Sequence, residues 1–130
     1  MKEPTPMLQN ADTRPLVLIV DDDRAVRESL AEVMEAFGFR TRTAGNGAEG
    51  LAAVAVEPPA AVITDLQMPQ MNGLELISAL RRTRTGIPVI AISGGDVEAA
   101  RRSGAAATFH KPLPVGEVID TVCGLTHRAA

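Results

Sequence analysis

Short apolar runs alternate with stretches of helical periodicity along most of the chain. Leu16–Val20 is apolar at every position, as in a strand buried on both faces. Residues 24–37 then place Val26, Leu30, Val33, Met34 and Phe37 at helical spacing, and Gly38 follows as a stop. Residues 39–44 alternate as a short strand, and Asn46-Gly47 marks a turn before an Ala-rich helix over 48–56, which Pro58-Pro59 ends. A third strand is predicted over 61–64, running directly into Asp65. A helix over 74–82 follows, with apolar and basic faces. Residues 88–92 read as a strand, 97–102 as a short helix, 108–110 as a short strand and Val115–Leu125 as the closing helix. Five strands alternating with five helices predict an α/β fold, a parallel sheet wrapped on both faces. The expected organisation is a loose lead-in over 1–14, one domain over 15–126 and a tail over 127–130.

Composition narrows the function classes. A chain of 130 residues suits one core, and with aromatics at 2% that core must be built from Val, Ile, Leu, Ala and Met. The net charge of -3 argues against a general nucleic-acid binder, so no direct DNA binding is expected. The single cysteine, Cys123, excludes an internal disulfide and a Cys-rich zinc site; among Val118, Ile119 and Val122 it reads as a small buried apolar side chain. No apolar run approaches the roughly 20 residues of a membrane span, and the first residues lack a signal-peptide core. A cytoplasmic location without membrane insertion is expected.

The candidate chemistry lies at strand ends, where open α/β sheets place their functional crevice. Asp21-Asp22-Asp23 follows the first strand; these adjacent carboxylates read either as a hard-cation site or as a solvated turn that also caps the next helix. Asp65 ends the third strand, Ser93 the fourth and Lys111 the fifth. Each has a bland alternative: a turn cap, the start of a loop, a surface charge. Their common position at the same end of successive strands favours a shared site. His110 and His127 are poor ligand candidates, and Met68 and Met71 read as loop packing.

Four segments together resemble the receiver domain of two-component response regulators. They are Val20-Asp21-Asp22-Asp23, the stretch from Thr64 through Asp65, Met68 and Pro69 to Gly73, Ile92-Ser93-Gly94, and His110-Lys111-Pro112. The resemblance covers about residues 15 to 126 and implies a flavodoxin-like, doubly wound five-stranded sheet. It implies that Asp65 accepts a phosphoryl group from a histidine kinase or a histidine phosphotransfer protein. It further implies Mg²⁺, with Mn²⁺ able to substitute, held by Asp21, Asp22, Asp65 and the Gln67 backbone carbonyl. Lys111, the Ser93 hydroxyl and the Gly94 N–H would contact the phosphoryl group, and Pro112 resembles the family's cis proline that holds the lysine inward.

The departures from the family concern output. Thr108 stands three residues before Lys111, where an aromatic switch residue is common; Phe109 could replace it only with a register change. The segment from Ser93 to Lys111 is short by about one helical turn, and Leu113 replaces a frequent phenylalanine. Two basic clusters, Arg81, Arg82 and Arg84 with Arg101 and Arg102, read as solvated helix faces or as docking points for an acidic surface or a phosphate. The overall expectation is a stand-alone receiver with an unidentified downstream protein target and only self-phosphorylation and self-dephosphorylation chemistry. A receiver belonging to a hybrid kinase or larger regulator is the nearest alternative. Outside that class stand an aspartyl-nucleophile phosphatase resembling the haloacid dehalogenases, disfavoured because Gln67 occupies the general-acid position, and an unphosphorylated scaffold.

Overall fold

The computed structural model of the chain describes residues 13–68, 70–83 and 86–126; the tail at 127–130 and nearly all of the lead-in lie outside these. The elements alternate as β1 Leu16–Val20, α1 Arg24–Ala36, β2 Arg40–Ala44, α2 Gly47–Val56, β3 Ala61–Asp65, α3 Gly73–Thr83, β4 Val89–Ser93, α4 Glu98–Ser103, β5 Ala107–His110 and α5 Val115–Leu125. All pairings are parallel, and the sheet order is β2-β1-β3-β4-β5. This is the flavodoxin-like doubly wound sheet expected from the sequence.

The period-two geometry of the strands divides the core into two layers. Val17, Ile19, Ile63, Ile90 and Ile92 pack with Leu30 and Met34 of α1 and with Val118, Ile119 and Val122 of α5. Their chain neighbours Leu18, Val20, Val62, Val89 and Ala91 face α2, α3 and α4, meeting Val54, Leu76, Ile77, Leu80 and Ala100. Burial of each such side chain contributes about 1.5–3 kcal/mol, so the inner strands β1, β3 and β4 are held from both sides. Cys123 is half-buried at the margin of the α1/α5 layer, less enclosed than the sequence suggests.

Two element boundaries shift for a hydrogen-bonding reason. Phe39 is fully buried yet precedes β2, because its N–H donates to Met34 O at the end of α1 rather than to the sheet. Helix α2 begins one residue early, at Gly47, because the Asn46 side chain accepts from Glu49 N at 2.9 Å and caps it. Helix α4 spans only six residues, ended by Gly104 at φ 109°, as the shortened segment predicts. Among the described residues no helix is long and apolar enough to cross a membrane.

Candidate functional site

Parallel pairing brings the carboxyl ends of β1, β3, β4 and β5 to one edge. The register sets Val20 beside Thr64, Asp65 beside Ile92 and Ser93 beside His110, so the residues at or just after these ends converge. Asp21, Asp22 and Asp65 each place a carboxylate oxygen within 4.8 Å of the other two. Asp21 and Asp65 are buried, while Asp22 is open to solvent.

Each acid is oriented by neighbouring backbone. Asp21 Oδ1 accepts from Asp23 N at 2.9 Å, fixing the turn after β1, and Asp23 uses its own carboxylate to cap α1 through Ala25 N and Val26 N. Asp65 Oδ1 accepts from Gln67 N at 3.2 Å, and Asp65 Oδ2 accepts from Lys111 Nζ at 3.1 Å. Lys111 is carried there by its N–H, which donates to Ser93 O at 2.9 Å, and the Lys111–Pro112 peptide is cis. Ser93 is buried, its hydroxyl oxygen accepting from Gly95 N at 3.0 Å, and Gly94 beside it is exposed.

The electrostatics favour a cation. Burial pushes the Asp21 carboxyl above its ordinary value, the Asp23 N–H pulls it back, and the nearby Asp65 charge pushes it up again. For Lys111 burial works against the charged form, but the hydrogen bond to Asp65 and the surrounding carboxylates outweigh it and raise its pKa. Three carboxylates against one ammonium leave the cluster negative. An all-oxygen donor set of this spacing, with one open side at Asp22, fits a hard divalent ion such as Mg²⁺.

The structure separates the two switch candidates. Thr108 lies beside Ala91, and its Oγ1 accepts from Arg101 Nη2 at 2.8 Å on the α4 side. Phe109 packs into the opposite layer against α1 and α5, so it cannot take the place of Thr108 in this register. Met68 is buried and Met71 partly buried in the α2/α3/α4 layer. Arg81 lies over Gly104, Arg101 pairs with Glu98 at 2.6 Å, and Arg82 and Arg102 are exposed; Arg84 lies outside the described residues. Two participants escaped the sequence reading. Arg27 donates to Asp21 O at 2.8 Å, and Gly47 N donates to Met71 O at 2.9 Å. The sequence marks the second with a glycine, but that glycine is already accounted for by the Asn46-Gly47 turn.

Comparison with known proteins agrees with this arrangement. Residues 17–122 match the family model described as the response regulator receiver domain. Among curated relatives, Response regulator MprA of Mycolicibacterium vanbaalenii is 38% identical over 116 residues, covering 86% of this chain and 50% of the relative. MprA of Mycobacterium ulcerans is 37% identical with the same coverage, so the chain spans about half the length of the curated relatives it matches. A CheY-like receiver domain protein from Methanospirillum hungatei superposes with a TM-score of 0.83 at 27% identity, over 89% of this chain and 96% of that one. A Francisella response regulator receiver domain gives 0.82 at 29% identity, over 90% and 100%. With its acid cluster and lysine at the ends of the strands, the chain belongs to the response regulator receiver domain family.

Proposed function

We propose that the chain is a phosphorylation-controlled interaction module whose acceptor is Asp65, loaded by a histidine kinase or a histidine phosphotransfer protein. The observation that carries this reading is the double engagement of Asp65. Its carboxylate belongs to the three-acid cluster and is also paired with Lys111 at 3.1 Å. An Asp65 oxygen forms the new O–P bond as the P–N bond of the donor phosphohistidine breaks, and the departing imidazole nitrogen takes up a proton. Lys111 moves from the carboxylate to a phosphoryl oxygen, and the Ser93 O–H and Gly94 N–H donate to the others. Asp21, Asp22, Asp65 and the Gln67 carbonyl would hold Mg²⁺, or Mn²⁺ in its place, and the ion would supply positive charge to offset that of the phosphoryl oxygens.

The output follows from the same contacts. The Ser93 hydroxyl leaves Gly95 N for the phosphate, drawing the β4–α4 connection inward and shifting an equilibrium between surface states. Hydrolysis returns free Asp65, so this is self-chemistry rather than turnover of a separate substrate. An aspartyl phosphatase would need an acid where Gln67 stands. A second reading, a receiver acting as one part of a longer regulator, is favoured by the roughly half-length match to the MprA proteins.

Intact mass after incubation with acetyl phosphate tests the central claim. Wild type should gain one phosphoryl group only with Mg²⁺, and Asp65→Asn should gain none. Folded wild type that gains nothing, or steady release of phosphate from a phosphomonoester, would overturn it.

A further inference from the structure

The connection from the end of β2 at Ala44 to the start of α2 at Gly47 holds no candidate ligand, yet it touches both the turn that carries Asp21 and Asp22 and the loop that follows Asp65. Ala44 O accepts from Asp21 N at 3.1 Å, joining the connection to the turn after β1. Three residues later, Gly47 N donates to Met71 O at 2.9 Å, joining it to the loop after Asp65. Between them the Gly45 N–H donates to Glu49 Oε1 at 2.9 Å, which holds the connection against its own helix. The separation of the Asp21–Asp22 turn from the Asp65 loop is therefore set through this short span as well as through the sheet.

Gly47 is the critical member. A Cβ there would collide with Met71 O and lie 2.7 and 2.9 Å from Met71 Cγ and Cβ, so only glycine allows the amide to reach the loop. The loop is closed at its far end by Gly73 N, which donates to Leu66 O at 3.1 Å. Met71 lies on the same loop as Gln67, so displacing it acts on the Gln67 carbonyl rather than on Asp65 in β3 or on the Asp21–Asp22 turn.

We propose that the connection from Ala44 to Gly47, through the Gly47–Met71 contact, is a positioning element that sets the affinity of the acid cluster for a divalent cation. This rests on the metal reading of the cluster given above. It assigns no ligand role to Gly47, whose effect is exerted through the loop.

The test is Mg²⁺ binding to the full chain by titration calorimetry, since the sequence has no Trp or Tyr to report binding optically. Gly47→Ala should weaken Mg²⁺ about tenfold, the size usual for groups that orient metal ligands. Gly50→Ala is the control. It lies one turn along the same helix, and its Cβ would press on Val20 Cγ2 at 3.0 Å, disturbing the core without touching the loop. It should lose stability and, because it leaves the Gly47–Met71 contact in place, lose less Mg²⁺ affinity than Gly47→Ala. The exposed Glu49 supplies a second pair should Gly47→Ala fail to fold: Glu49→Ala should weaken Mg²⁺ about threefold, and Glu49→Gln, which keeps the acceptor, should restore it. In Gly47→Ala the Mg²⁺ midpoint for phosphoryl uptake should rise while the rate at saturating Mg²⁺ stays near wild type. Equal loss of affinity in Gly47→Ala and Gly50→Ala, unchanged affinity in Gly47→Ala, or equal loss in both Glu49 variants would overturn the positioning role alone. Folded wild type that binds no Mg²⁺ would overturn the metal reading and this inference with it.

Discussion

Asp21 is the residue at which the fold works against itself. Its carboxyl titrates above its ordinary 3.8, chiefly because it is buried and also because Asp65 is charged nearby. A folded-state pKa above the unfolded one means that the group's stabilising contribution is complete below the unfolded value and is lost as pH rises through the folded one. The metal-free protein therefore carries a penalty at neutral pH that is absent near pH 3.8. Asp21→Asn keeps the acceptor for Asp23 N and removes the charge. Its melting temperature without divalent ions should exceed that of wild type at pH 7, with the gap closing as pH falls toward 3.8. Under the proposed metal reading Mg²⁺ should narrow or reverse the gap, because the variant gives up one of the three clustered carboxylates. A gap independent of pH would show that burial of Asp21 carries no such penalty. Lys111 obeys the same rule at higher pH: its raised pKa means that its stabilising contribution is present below 10.5, hence at neutral pH, and is lost only as pH climbs through the folded value.

At the scale of elements, α4 is the shortest of the five helices described. It has six residues, its first amide, Glu98 N, donates to Asp96 Oδ1 at 2.8 Å, and it is tied to β5 by Arg101, which pairs with Glu98 and donates to Thr108. Those contacts are exposed, so each contributes about 1 kcal/mol or less to global stability. Arg101→Ala should leave global unfolding within about 0.5 kcal/mol of wild type while speeding hydrogen exchange at the amides of α4. Exchange unchanged in α4 would remove Arg101 as its tether. The succession of elements was legible from the hydrophobic pattern together with the breaks at Gly38, Asn46-Gly47 and Pro58-Pro59. Boundaries slipped where a backbone amide had a non-local choice, as at Phe39, whose N–H turns back to α1.

For the whole molecule, the sheet order makes β1 and β3 neighbours and so unites acids far apart in the chain. A cation binding only this assembled cluster must stabilise the fold, by about 1.4 kcal/mol at ten times its dissociation constant. If the cluster holds Mg²⁺ as proposed, the melting temperature should rise with Mg²⁺ in wild type and stay level in Asp22→Asn, the variant that removes the cluster's exposed carboxylate. A rise of equal size in both proteins would place the binding elsewhere.

The fold class and the acids, serine and lysine at the strand ends were readable because both follow from local chain properties. Apolar period dictates which segments become buried strands, and a parallel sheet puts all their carboxyl ends on one edge. Facing relations came from elsewhere. The Lys111–Asp65 pairing across 46 positions was implied by the family resemblance, the opposite facing of Thr108 and Phe109 followed from strand alternation, and the bracing of Met71 by Gly47 is a product of packing. The last of these is a contact between backbone groups, which every residue type carries, so nothing in the order of side chains announces it. Only the steric demand for a missing Cβ marks the position, and that demand exists once the loop has been laid against the helix.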